Sequence, residues 1–303
     1  MKNSHSLMEI LQNYLQMIKF SHTIFALPFA GIALVEILYW NYFKENHLQW
    51  SLQDTLIKTF GIIMCMITLR SAAMGFNRIV DRKFDALNPR TSNREIPSGK
   101  ISLNEAYAFV LISSVLFILF AFLINPIAGF LSPIVVFLTF FYSFTKRFTF
   151  LCHYILGFAI GLAPMAVSVA LLSKIELYTV LLSLALMFYI AGFDILYACQ
   201  DYEFDQKMNL HSIPVKLGIS KALIVARVNH VLSFLFLLGF YFTRSLNLIF
   251  LITILIVGFL FFFEHFLVRG GRLEKIPVAF FHVNSVISSV LFFGLLLDRW
   301  LFF

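Results

Sequence analysis

The sequence predicts an all-α, polytopic membrane bundle, and three observations carry that prediction. Of 303 residues, 60% are hydrophobic and only 13% are charged, against about 25% charged in an ordinary soluble protein. Mean hydropathy is +0.87. The apolar residues also form long continuous runs, and a run of about 20 such residues crosses the hydrocarbon core as a helix that satisfies its own backbone hydrogen bonds. A membrane barrel would instead alternate apolar and polar residues in short segments.

Nine runs meet this condition, at residues 20–40, 54–76, 104–124, 127–144, 150–172, 178–199, 224–242, 246–267 and 277–297. The first follows Lys2 without a short apolar core ending in a small-residue cleavage site, so it is expected to be retained. The second carries Arg70 and runs into the charged stretch "NRIVDRKFDALNPRTSNREIPSGK" (77–100). The third and fourth are parted only by "NP" (125–126), and the fourth closes with "FFYSFTKRFTF", which sets Tyr142 and Lys146 one helical turn apart. The sixth carries Asp194 and runs into "DILYACQDYEFDQK", while the seventh and eighth are parted by "SLN" (245–247).

Most of the 23 Lys and Arg residues fall on the side of the N-terminus and of the loops after the even-numbered runs, whereas Lys44, Lys174, Arg244 and Arg299 fall on the other. The positive-inside rule makes the first side cytoplasmic. The same asymmetry and attraction to anionic headgroups account for the net charge of +7 without a nucleic-acid partner. Two cytoplasmic loops run to about 20 residues, beyond the usual 2 to 8 for helix connections, which is where function is expected. Asp81 and Asp85 in the first recur 120 residues later as Asp201 and Asp205 in the second. This spacing points to a four-helix unit used twice plus a ninth helix, with a binding site where the units meet. The chain reads as one domain, 1–303, with no soluble module and no evident obligate protein partner. Cys65, Cys152 and Cys199 make no CxxC pair, and the eight histidines have no metal spacing. They read as ordinary packing residues.

Asn77, Asp81 and Asp85 stand at i, i+4 and i+8, so on a continued helix they form one stripe. Like charges at that spacing repel. Something cationic has to offset them, and oxygen-only ligands from short carboxylate pairs suit Mg²⁺, which takes one or two protein carboxylates plus substrate phosphates. A Mg²⁺-diphosphate bridging the two clusters would explain why so much charge lies at the mouth of apolar runs, with Lys and Arg side chains such as Arg94 and Lys146 on the phosphate oxygens. The alternative for the acids is solvated loop ends. Arg70 and Asp194 lie at a depth where charge costs about 2.5 to 3.5 kcal/mol, so they are expected to have a role; the alternative is an ion pair stapling two helices.

These residues resemble the UbiA superfamily of intramembrane prenyltransferases. Asn77, Asp81 and Asp85 match its NxxxDxxxD motif, and Asp201 and Asp205 after Asp194 match its second motif. The segments "NPRTSNREIPSGKIS", "YSFTKRFT" and "DILYACQDYEFDQKMNLHSIPVKLG" match in order, so the resemblance spans nearly the whole chain. It implies a nine-helix bundle with a central cavity open to the cytoplasmic side, binding a polyprenyl diphosphate through Mg²⁺ beside an aromatic acceptor. By resemblance Asp81, Asp85, Asp201, Asp205 and Asn77 bind the metal-diphosphate, and Tyr142 and Lys146 cradle the leaving group. Arg70 takes the acceptor carboxylate, Asp194 orients its hydroxyl or takes a proton, and Lys19 stands where relatives often have Arg. "YACQDYEFD" looks like the 4-hydroxybenzoate branch, whereas "IKFSHTIFALPFA" and "NREIPSG" look like a subgroup of futalosine-route menaquinone producers, whose acceptor would be a carboxylated dihydroxynaphthalene. The implied location is a bacterial inner membrane. A cation-coupled transporter is the non-enzyme alternative, though it would place its acids at mid-membrane on broken helices.

Overall fold

A computed structural model describes residues 7–19, 25–43, 50–270 and 272–301, and these hold helices and no strand. In chain order they are α1 (Leu7–Met17), α2 (Leu27–Phe43), α3 (Leu52–Leu87), α4 (Leu103–Ile124), α5 (Pro126–Thr145), α6 (Cys152–Gly161), α7 (Ala163–Leu172), α8 (Leu177–Ala198), α9 (Tyr202–Lys207), α10 (Ile213–Leu217), α11 (Ile219–Thr243), α12 (Leu248–Leu267) and α13 (Asn284–Leu301). Eight segments among the described residues are long and apolar enough to cross a bilayer, and they answer to eight of the nine runs. The ninth run, 20–40, contributes the 17-residue apolar α2. Residues 20–24 lie outside the described residues, as do Lys2 and Lys44 of the charge asymmetry and His5, His22 and His47.

Sequence sets the ends of these helices. A capping box starts α3, where the Ser51 hydroxyl accepts from the Asp54 N–H and the Asp54 carboxylate accepts from the Ser51 N–H, both at 3.1 Å. Ser102 and Glu105 repeat the device at α4. Asn125 and Pro126 open α5 as N-cap and first helical residue, so the chain reverses in two residues. The run at 150–172 is two helices, α6 and α7: Pro164 lacks an N–H to donate back into the preceding turn, and the spiral breaks at Leu162. Gly157 of α6 lies where a Cβ would strike the Met187 carbonyl of α8, so glycine lets these two helices touch through their backbones.

At 36 residues α3 is roughly 54 Å long at 1.5 Å per residue, well beyond a hydrocarbon core of about 30 Å. The stripe of Asn77, Asp81 and Asp85 therefore sits on a continuous helix, as the spacing predicts, near the end that outruns the membrane. The 120-residue offset reappears in whole elements: α3, α4 and α5 correspond to α8, α11 and α12. Packing follows the same rule, because α3 packs most extensively on α4 and α8 on α11.

The opposite end of the bundle is held by a buried carboxylate. Glu36 of α2 is 0% exposed and accepts from Arg244 Nε at 2.8 Å and from Arg299 Nε and Nη2 at 2.7 and 2.8 Å. The Arg244 guanidinium also lies over the rings of Trp40 and Tyr178, and Arg299 over Tyr39. Arg244 and Arg299 had the sequence signature of loop cations on the side away from the acids. Their side chains instead turn inward and tie α2, the end of α11 and α13 together.

Candidate active site

A cavity of about 700 Å³ lies among α3 to α9, and every side chain singled out in the sequence lines it: Lys19, Arg70, Asn77, Asp81, Asp85, Arg94, Tyr142, Lys146, Asp194, Asp201 and Asp205. The two acidic motifs, 120 residues apart in sequence, face one shared hollow. Its floor and walls are apolar, with Leu131, Val135, Leu138 and Ala163 among them. Most of its charged side chains gather at the end that carries the two acidic motifs, with Arg70 and Asp194 as exceptions.

Each of the four aspartates is clasped by a different cation. Asp81 Oδ1 accepts from Arg147 Nη2 at 3.0 Å, and its other oxygen from Asn77 Nδ2 at 3.0 Å. Asp85 pairs with Arg94 at 2.6 Å. Arg90 holds Asp201 two-pronged, through Nε at 3.0 Å and Nη2 at 2.5 Å, while Asn88 Nδ2 adds a third bond at 3.2 Å. Lys146, the C-cap of α5, reaches Asp205 at 2.6 Å. Sequence reasoning singled out Lys146 and Arg94 but not Arg90 or Arg147; the signal for them was their place in the charged loop and beside Lys146. Burial works against the charge on Lys146, but the Asp205 carboxylate outweighs it and lifts the ammonium above the usual lysine value. Arg90, opposed by burial and supported by Asp201 and Tyr197, is raised as well.

The donor set fits a hard divalent cation of the kind the motifs imply. It consists of carboxylates and an amide, and Asp85 Oδ2 is buried with no partner although Oδ1 is paired. Among the described residues no three His, Cys, Asp or Glu side chains converge closely enough to hold a metal by themselves. Mg²⁺ typically binds through one or two carboxylates and completes its shell with phosphate and water.

Deeper in the hollow the chemistry changes. Arg70 Nη2 donates to the carbonyls of Lys19 and Ile18 at 3.0 and 3.4 Å, and its buried Nε has no partner. It makes no ion pair with Asp194, so the stapling alternative is set aside. Asp194 Oδ2 instead meets His153 Nδ1 at 2.7 Å, and the carboxylate keeps 19% of its surface exposed to the cavity. No sequence signal marks His153, since the histidines lack metal spacing and read as ordinary packing residues. Lys19 stands at the rim with a left-handed φ of 48°. Burial first, and then Arg78, lower its pKa below the usual lysine value.

The family model described as "UbiA prenyltransferase family" matches residues 47–286. A 4-hydroxybenzoate octaprenyltransferase of Enterobacter sp. (strain 638) is 32% identical over 234 residues, covering 77% of this chain and 80% of that protein. Another from Vesicomyosocius okutanii is 28% identical over 259 residues, 86% and 93% of the two chains. Among solved structures, the apo form of a UbiA homolog from Aeropyrum pernix K1 superposes with a TM-score of 0.78 at 28% identity, covering 91% of this chain and 98% of its own. A UbiA homolog from Archaeoglobus fulgidus bound to GPP and Mg²⁺ reaches 0.68 at 19% identity, over 95% and 99% of the two chains, a likeness of fold.

Proposed function

Because this chain belongs to the UbiA prenyltransferase family, we propose that it moves a polyprenyl group from its diphosphate onto the ring of a hydroxylated aromatic acid of the 4-hydroxybenzoate type, releasing diphosphate. The observation that carries this reading is the pair of acidic motifs facing one apolar-walled cavity, each acid matched by a cation.

In this reading Asp81, Asp85, Asp201 and Asp205, with Asn77, would hold Mg²⁺, which when bound would supply charge neutralisation to the leaving diphosphate. The cations that clasp these carboxylates, Arg90, Arg94, Lys146 and Arg147, exchange them for phosphate oxygens, a match suited to guanidinium forks. Lys146 and Tyr142 follow the bridging oxygen as the carbon–oxygen bond breaks and its electron pair leaves with diphosphate. Lys19 adds positive charge at the rim. The allylic cation then meets the ring carbon ortho to the acceptor hydroxyl, and Asp194 takes the proton released. Arg70 grips the acceptor carboxylate through its unpartnered Nε. The isoprenoid tail lies along the apolar wall toward the bilayer.

Membranes carrying the protein, offered a polyprenyl diphosphate, Mg²⁺, 4-hydroxybenzoate and a carboxylated dihydroxynaphthalene together, are expected to yield prenylated 4-hydroxybenzoate by mass analysis. Exclusive naphthalene product would move the chain to the menaquinone branch. No product from either, with cation flux into liposomes in the absence of donor, would make it a transporter. Arg70→Ala is expected to raise acceptor KM at least tenfold while donor KM stays within twofold, in line with about 1.5 to 3 kcal/mol for a hydrogen bond to a charged group. Equal rises in both constants would remove its carboxylate role.

A further inference from the structure

We infer that His153 is the positioning residue that holds Asp194 in its working orientation, and that the loop after the second acidic motif fixes its tautomer. The inference rests on the reading of Asp194 as the proton acceptor. His153 is 1% exposed, and both ring nitrogens are engaged. Nδ1 lies 2.7 Å from Asp194 Oδ2. Nε2 accepts the backbone N–H of Ile213 at 3.3 Å.

A neutral imidazole has one donor and one acceptor nitrogen, and the partner of one decides the role of the other. The Ile213 N–H can only donate. A proton on Nε2 would set two donors head to head in a site closed to water, so Nε2 carries the lone pair and Nδ1 carries the hydrogen. Nδ1 therefore donates to Asp194, which receives it as a carboxylate and keeps the rest of its surface toward the cavity. His153 never takes the substrate proton; it aims the group that does.

The loop leading into α10, whose first residue Ile213 supplies this N–H, is itself anchored to the diphosphate end. The His211 N–H donates to the Lys146 carbonyl at 2.7 Å, and the Leu210 N–H to the Asp205 carbonyl at 2.8 Å. Cys152, next to His153, donates its thiol to the His211 carbonyl. One short strap thus touches the backbone of Lys146, the backbone of Asp205 and the ring that orients Asp194. The acceptor side of the cavity is positioned by the same residues that border the donor side.

The test is a double-mutant cycle with His153→Leu, Asp194→Asn and the pair, plus His153→Gln. Its amide can both donate and accept, so Gln is the conservative variant. His153→Leu is expected to lower kcat at least tenfold with donor KM within twofold of wild type. His153→Gln should recover most of that loss, and His153→Leu should cost nothing further in the Asp194→Asn background. Additive losses in the cycle, or equal impairment by Leu and Gln, would overturn the inference. The thermal unfolding of the same four proteins reads the pair without substrate. Non-additive Tm changes with no prenylated product from wild type would sink the proposed function and leave the pairing standing, whereas additive Tm changes with an active wild type would sink the pairing alone.

Discussion

Asp201→Asn is expected to lower kcat/KM by about 10²- to 10³-fold, the range seen when one well-placed electrostatic element that stabilises developing charge is removed, roughly 2.7 to 4 kcal/mol. Asn keeps the volume and one hydrogen-bonding oxygen, so the bond from Asn88 persists. What goes is the negative charge that a divalent cation requires. Arg90 remains seated, because its guanidinium also lies 4.9 Å from the Tyr197 ring centroid and bonds its hydroxyl. The variant should therefore stay folded, with a wild-type elution profile in detergent, while prenyl transfer collapses. The equivalent change at Asp81 should match it. Wild-type turnover in both would end the model of two motifs sharing one diphosphate.

Glu36→Gln is expected to have the largest effect on stability, about 3 to 5 kcal/mol, because removing one member of a buried ion network strands its partners. Arg244 is 11% exposed at its side chain and Arg299 7%, so neither can recover full hydration. The amide offers one acceptor oxygen to two guanidinium groups. The loss would appear as a large fall in Tm in detergent. Activity below the new Tm should be near normal, since Tyr178 lies in the first turn of α8 and Asp201 follows its end, a separation of roughly 34 Å along the helix axis at 1.5 Å per residue. A Tm within a degree or two of wild type would refute the staple.

Much of this was legible in the sequence, and the exceptions share a cause. Helix positions follow from long apolar runs, and the stripe of Asn77, Asp81 and Asp85 follows from spacing, because both depend on residues within a few turns. The pairing of acids with cations does not. Arg147 reaches Asp81 from 66 residues away, His153 reaches Asp194 across 41, and Glu36 gathers Arg244 and Arg299 over 208 and 263. Such pairs are decided by which helix faces meet, and a single sequence does not contain that information in local form. The break at Leu162 was foreshadowed by Pro164, yet the apolar run continued through it and hid the change of direction.

The two acid-bearing helices also differ in build. The first motif rides on an unbroken α3. Its counterpart is interrupted by a 3₁₀ turn at Cys199–Asp201 before α9 resumes with Asp205. A 3₁₀ stretch within a helix marks a place where the backbone gives. In the proposed site the two motifs would therefore meet a ligand from unlike backbones, a straight rod carrying Asn77, Asp81 and Asp85 and a jointed one carrying Asp201 and Asp205.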